Sequence, residues 1–129
     1  MHQFDLKSRT AIITGGAQGF GLDIAKRFLK SGAKAIIWDI DEEELKKAIN
    51  DVNNPNLLYN IVDVSNFKNV KETVDVIAKS SNIDILINNA GITGSTSSLW
   101  DYDVDEWNKI VQINLMGTFN CCKLSLIHI

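Results

Sequence analysis

The sequence predicts an α/β domain, a doubly wound parallel sheet truncated after about four strands and a C-terminal helix. Three observations predict it. Four short runs are nearly continuously apolar and mostly β-branched, as strands buried on both faces of a parallel sheet are. Between them lie longer stretches with apolar residues three and four apart, the mark of helices with one buried face. The two kinds alternate as βαβαβαβ, and that order implies right-handed crossovers with helices covering the sheet.

The first run is Ala11-Ile12-Ile13. The helix after it carries Leu22, Ala25 and Leu29 on one face, with Phe28 beside them, and Gly32 follows as a stop. The second run, Ala35–Trp38, leads to a helix with Leu45, Ala48, Ile49 and Val52 in line, followed by Pro55. Asp41 to Glu44 open that helix and Lys46 and Lys47 come later, an order that suits the helix dipole. The third run, Leu57–Val62, precedes a stripe of Phe67, Val70, Val74, Ile77 and Ala78. The fourth is Ile83–Ile87. A small, polar loop follows at Thr93–Ser98, and a last helical region runs from near Asp103 through Trp107, Ile110, Val111, Leu115 and Phe119.

Composition narrows the function. The 129 residues are 45% apolar and 22% charged, the balance of one ordinary globular domain. A net charge of -3 argues against a broadly basic nucleic-acid surface. No run reaches the roughly 20 apolar residues of a membrane helix, and the opening residues lack the build of a secretory leader. Cys121 and Cys122 are adjacent and close no useful loop, so a reducing cytoplasm is the expected compartment. His2 and His128 lie at opposite ends, and no His/Cys cluster has metal-binding spacing. Trp100, Trp107 and Phe119 lack basic neighbours, so core or subunit contact is expected of them rather than base stacking.

The strongest chemistry sits between the first strand and the first helix, at Thr14-Gly15-Gly16-Ala17-Gln18-Gly19-Phe20-Gly21. There a phosphate would meet backbone N–H donors and the positive end of a helix. A side chain at Gly15 or Gly19 would hold the phosphate off, and Gly21 is expected to let the helix pack close to the strand. Asp39 ends the second strand, 18 positions after Gly21, near the spacing at which an acid binds the adenosine ribose. A carboxylate accepts from both ribose hydroxyls and repels a 2′-phosphate. No Arg or Lys lies in the glycine turn, so NAD is favoured over NADP. The competing reading is that Asp39 caps the helix starting near Asp41.

The glycine pattern is T-G-x-x-x-G-x-G, and Asn88-Asn89-Ala90-Gly91 stands at the end of the fourth strand. With Asp63-Val64 after the third strand and Asn114 in the last helical region, the chain resembles the short-chain dehydrogenase/reductase family, in its classical 3-oxoacyl-carrier-protein-reductase-like group. The resemblance runs from Phe4 to about Lys123. It implies a Rossmann-type fold and a role for each matching position. Gly15, Gln18, Gly19 and Phe20 would line the pyrophosphate and the nicotinamide-side ribose, while Asp39 and Ile40 would meet the adenosine ribose. Asp63 and Val64 would meet the adenine, Asp63 through the exocyclic amine; helix N-cap is the alternative for Asp63. Asn89, Ala90 and Gly91 would pack along the cofactor, and Asn88 would tie neighbouring strands. Asn114 matches the catalytic asparagine, which bends the helix and offers its carbonyl to a water in the proton relay.

The family's reaction also needs a tyrosine with a lysine four residues on, the lysine lowering the tyrosine pKa. Tyr59 is followed at that spacing by Asp63 and Tyr102 by Glu106. The expectation is therefore an N-terminal half, residues 1–129 forming the NAD-binding part of one domain. The strand Ile83–Ile87, interior in a 3-2-1-4 sheet, would then be an apolar edge. The implied activity is hydride transfer between NAD(H) and a small alcohol or carbonyl substrate. A homo-oligomer is expected at full length, with neither nucleic acid nor membrane as partner. The alternative is a catalytically incompetent dinucleotide-binding fragment or module.

Overall fold

A computed structural model describes residues 4–129; Met1, His2 and Gln3, the start of the stretch read for a leader, lie outside the described residues. The order is β1 (Thr10–Thr14), α1 (Gly19–Lys30), β2 (Lys34–Asp39), α2 (Glu42–Val52), β3 (Leu57–Ile61), α3 (Phe67–Ala78), β4 (Ile85–Ile87), α4 (Val104–Val111) and α5 (Gly117–Ser125). A π-helical segment, Gln112–Met116, joins α4 to α5, and a short 3-10 turn, Leu99–Asp101, precedes α4.

The four strands form one parallel sheet in the order β3-β2-β1-β4. Ile12 of β1 pairs with Ile36 on one side and Leu86 on the other. Alternation along each strand divides the core in two. Ile12, Ile36, Trp38 and Val62 meet Val70, Val74 and Ile77 of α3 and Cys121 and Leu124 of α5. Ala11, Ile13, Ala35, Ile37 and Leu57 meet Ala25 of α1 with Leu45 and Ala48 of α2. Helices thus cover both faces, which is why the strands read as unbroken apolar runs.

Helix starts follow from local polar chemistry. Asp41 accepts from the Glu44 N–H at 3.0 Å, Asn66 from the Asn69 N–H at 3.0 Å, and Asp103 from the Glu106 N–H at 2.7 Å. Each is a side chain satisfying a donor that the first helical turn leaves open. The α2 helix ends at Asn53, whose φ of 45° is left-handed, so the stop comes before Pro55. Strand β4 is shorter than the apolar run Ile83–Ile87 from which it is predicted. Just before it, the Asp84 carboxylate takes the Thr10 N–H at 2.8 Å, while the Asp84 N–H donates to the Thr10 carbonyl at 2.9 Å. The side chain thereby occupies a donor that the ladder would otherwise use.

Strand β4 pairs with β1 alone and is a sheet edge, as expected. The aromatic residues near α4 do not enter the core: Trp100 is 86% exposed, and Trp107 and Phe119 are each 52% exposed. Of the two roles expected for them, core contact is corrected, because all three lie on the surface. No helix among the described residues is long and apolar enough to cross a membrane. The topology places the C-terminal ends of β1, β2, β3 and β4 on one rim. That rim, where the strand order reverses, is where doubly wound sheets bind ligands.

Candidate functional site

A cleft of about 560 Å³ opens along this rim. Nine expected site residues line it: Gly15, Gln18, Asp39, Ile40, Asp63, Val64, Asn89, Ala90 and Gly91. Gly19, Phe20 and Asn114 lie outside its lining. Phe20 is 85% exposed at the start of α1, and Ile40, just after β2, is also exposed.

The glycine turn is built by close approach. Gly15 has φ of 61°, and a Cβ on it would stand 2.9 Å from the Ala90 Cα. Its lack of a side chain therefore serves the β1–β4 contact itself, a reason different from the phosphate clearance expected. Gly19 has φ of 55°, and a Cβ placed on it would meet nothing within 4 Å, so the space above it is open. A Cβ on Gly21 would fall 2.2 Å from the Gly15 carbonyl oxygen, which bears out the close helix–strand packing. The N-cap residue of α1, Gln18, makes no side-chain hydrogen bond to the first turn, and no acid lies there. Helices α2, α3 and α4 all have such caps, so α1 leaves its donors to whatever occupies the rim.

The carboxylate of Asp39 is held by three backbone donors: Ala17 N–H at 3.3 Å, Ile40 N–H at 2.9 Å and Asp41 N–H at 3.3 Å. The α2 cap is Asp41, which leaves Asp39 as a clasp between the glycine turn and β2. Likewise Asn66, not Asp63, caps α3. The Asp63 Oδ1 accepts from the Ser65 N–H at 2.9 Å and the Ser65 hydroxyl at 2.6 Å, fixing the carboxylate at the cleft wall. Val64 is buried and packs against Gly117 of α5, while its carbonyl accepts from the Asn120 amide at 3.0 Å.

Two findings correct the residue assignments after β4. The amide of Asn89 donates to the Thr14 carbonyl at 3.2 Å and the Gly15 carbonyl at 3.0 Å. Asn89 therefore makes the strand tie expected of Asn88, whose own amide donates to the Cys122 Sγ at 3.2 Å. Thr14 heads the glycine motif and carries a role that the motif does not announce. Its hydroxyl donates to the Ile87 carbonyl at 3.4 Å and accepts from the Asn89 and Ala90 N–H groups at 3.1 and 3.0 Å. A polar residue ending an otherwise apolar strand is the signal in the sequence.

Asn114 lies inside the π segment. Its side chain makes a reciprocal pair with Ile92: Oδ1 accepts from the Ile92 N–H at 2.9 Å and Nδ2 donates to the Ile92 carbonyl at 2.9 Å. The Asn114 carbonyl accepts from the Thr118 hydroxyl at 2.9 Å. The helix is thus distorted at Asn114, and the residue fastens the loop that follows Gly91. Further along, Glu106 holds that loop by accepting from the Ser95 N–H at 2.9 Å and the Ser95 hydroxyl at 2.6 Å. The cleft wall also contains Trp38, Ile92, Lys109, Gln112 and Ile113, none of which belongs to a recognisable motif.

An α/β sheet of this order, with a glycine turn at one helix start and acids at two strand ends, is of the doubly wound, Rossmann-like type, whose ligands bind at this rim. The sequence model of the short-chain dehydrogenase family matches residues 9–129, and the chain belongs to that family. It is 35% identical over 126 residues to a 3alpha-hydroxysteroid dehydrogenase of Mediterraneibacter gnavus, covering 92% of this chain and 49% of that one. It is 37% identical over 122 residues to the 3-oxoacyl-acyl-carrier-protein reductase FabG of Chlamydia muridarum, again covering 92% of this chain and 49% of the relative. Among solved structures, the RhlG/NADP active-site complex of Pseudomonas aeruginosa superposes with a TM-score of 0.87 at 30% identity, over 99% of this chain and 51% of that one. The chain spans about half the length of these relatives. The family consists of oxidoreductases that use NAD(H) or NADP(H).

Proposed function

We propose that the rim cleft binds NAD, and that residues 1–129 form the cofactor-binding part of a single Rossmann-type domain. The whole protein would interconvert a small alcohol and a carbonyl. The observation that carries this reading is the uncapped start of α1 facing open space over Gly19, with the Asp39 carboxylate clasped beside it. A diphosphate suits the first feature, since bare N–H groups and the helix dipole both favour an anion. A ribose suits the second. Three donors hold the Asp39 carboxylate, which has about four acceptor positions, so it can still accept from a sugar hydroxyl.

The site also fits at its other end. The Asp63 carboxylate stands in the cleft lining as an acceptor for an exocyclic amine, while Trp38 beside it is fully buried in the core, its indole N–H without a partner. Three acids, Asp39, Asp41 and Asp63, line the cleft against one lysine, Lys109. That balance disfavours a 2′-phosphate and supports NAD over NADP.

When bound, the nicotinamide supplies hydride transfer. In this reading Gly15, Gln18, Gly19 and Phe20 seat the diphosphate side, Asp39 and Ile40 the adenosine ribose, and Asp63 and Val64 the adenine. Ala90 and Gly91 form the opposing wall, and Asn89 holds that wall to β1. Asn114 keeps the wall loop in place through Ile92 and presents its carbonyl, already shared with Thr118, toward the relay. Neither tyrosine of these 129 residues has a lysine four positions on. Binding without turnover is therefore expected of them alone.

The test is Asp39→Ala followed by titration with both cofactors. The reading predicts at least tenfold weaker NAD binding and little change for NADP, an effect of about 1.4 kcal/mol or more. Equal loss of both would remove the ribose role.

A further inference from the structure

We propose that β3 is a docking strand for a second copy of this chain. Two sheets join edge to edge, β3 against the partner's β3, antiparallel across a two-fold axis. The inference does not depend on the nucleotide reading.

Strand β3 is an outer strand, paired with β2 alone. The register shows which of its backbone groups are spent. The Asn56 carbonyl accepts from the Ala35 N–H, and the Val62 N–H donates to the Asp39 carbonyl, both at 2.9 Å. Alternation then turns the backbone groups of Leu58 and Asn60 toward β2 and those of Leu57, Tyr59 and Ile61 outward. The Leu57 N–H donates to the Asn54 carbonyl at 3.0 Å, while the outward groups of Tyr59 and Ile61 have no partner among the described residues. Edge strands are ordinarily blunted by a charge, a proline or a bulge. Leu57–Ile61 carries neither charge nor proline, and its register on β2 runs without a bulge. Both faces beside it are open. A groove of about 340 Å³ follows the strand, reaching Ile36 and Ile77 of one core layer and Ile49 of the other. Leu58, Ile61 and Val76 are exposed along this edge.

Two features choose a second copy as the occupant. First, the edge complements itself. About an axis at Tyr59, that residue exchanges both backbone bonds with the partner's Tyr59. The Ile61 N–H then meets the partner's Leu57 carbonyl, the one outward group of Leu57 still free. Cross-strand neighbours become Tyr59 with the partner's Tyr59 and Leu57 with the partner's Ile61, an aromatic and an apolar pair. Second, the charges match. Lys34 is the one charged residue lining the groove, at the first end of β3, and Asp63 stands just past its last end. The Lys34 ammonium donates to the Ser81 hydroxyl at 2.8 Å and has no acid as partner among the described residues. A two-fold axis forces identical strands to run antiparallel, which brings Lys34 of each copy toward the partner's Asp63.

A five-residue strand makes a small interface, so the dissociation constant should be on the order of 0.1 mM. The experiment is amide exchange by NMR on the wild-type chain at about 0.05 and about 1 mM. Tyr59 and Ile61 should exchange about threefold more slowly at the higher concentration, as the monomer fraction falls. Ile61→Pro removes an outward donor and leaves the bonds to β2, and Leu58→Lys sets like charges near the axis. Each should abolish the concentration dependence at Tyr59, whereas Phe119→Glu, on the separate apolar surface of α5, should preserve it. Leu58→Lys, at an exposed position, carries the comparison if Ile61→Pro does not fold. Exchange at Tyr59 and Ile61 that ignores concentration overturns the proposal, whether the chain is monomeric or associates through another surface. A dependence that survives the β3 variants, or that vanishes in Phe119→Glu, overturns it as well.

Discussion

Thr14 joins the two strands on which the cleft depends. One hydroxyl serves the Ile87 carbonyl and the N–H groups of Asn89 and Ala90. Thr14→Val keeps the shape and removes the oxygen, leaving two backbone donors without that partner. We expect a loss of about 1–3 kcal/mol in urea unfolding, with weaker NAD binding on titration. An unchanged midpoint would show that the hydroxyl is dispensable. Asp84 makes a second cross-strand clasp, at the opposite end of β1. The Thr10 N–H, helped by Arg9, holds its carboxyl below the ordinary carboxylate value. A folded pKa below the unfolded one stabilises above about pH 4 and is lost as pH falls through the folded value. Asp84→Asn should therefore destabilise the chain at pH 7, and the difference from wild type should shrink toward pH 3. A pH-independent difference in thermal midpoint would contradict that origin.

At the scale of elements, α5 carries two cysteines in unlike surroundings. Cys121 is fully buried, and burial pushes its thiol up to about 12, with Cys122 adding to the rise. Iodoacetamide at pH 8 should modify Cys122 first and reach Cys121 only on unfolding, as peptide mass spectrometry would reveal. Equal labelling in the folded chain would contradict the packing of α5 on the sheet. The π segment makes a further prediction. Asn114→Ala cuts both bonds to Ile92, so amide exchange at Ile92 should accelerate while α3 stays protected. The elements themselves are legible because periodicity reports which face of a strand or helix is buried. The helix starts near Asp41 and Asp103 are legible, but the capping residue is not: Asp41 rather than Asp39 caps α2, and Asn66 rather than Asp63 caps α3. Side-chain partners across strands are not legible either. Asn88 and Asn89 are neighbours of one type, and only the register of β4 against β1 decides which amide reaches the Thr14 and Gly15 carbonyls. Trp38 reads as one more apolar strand residue, since burial conceals an orphan donor as easily as it hides a methyl group.

For the whole molecule, alternation and crossover handedness make the parallel, covered sheet readable, the doubly wound class supplies its 3-2-1-4 order, and the cleft's position follows from that order. What alternation does not report is how much apolar surface is left uncovered. Trp107, Leu115 and Phe119 are exposed along α4, the π segment and α5, beside the half-buried edge strand β4. Such a surface favours association. Sedimentation velocity should show a mass that rises with concentration, and a sharp monomer throughout would contradict it. The central claim concerns the start of α1, and amide chemical-shift mapping on a 15N-labelled chain tests it most directly. Adding NAD should move the amides of Ala17, Gln18, Gly19 and Phe20 most, with Asp39 and Ile40 next. Saturable binding that leaves those amides in place and shifts another surface instead would contradict the account.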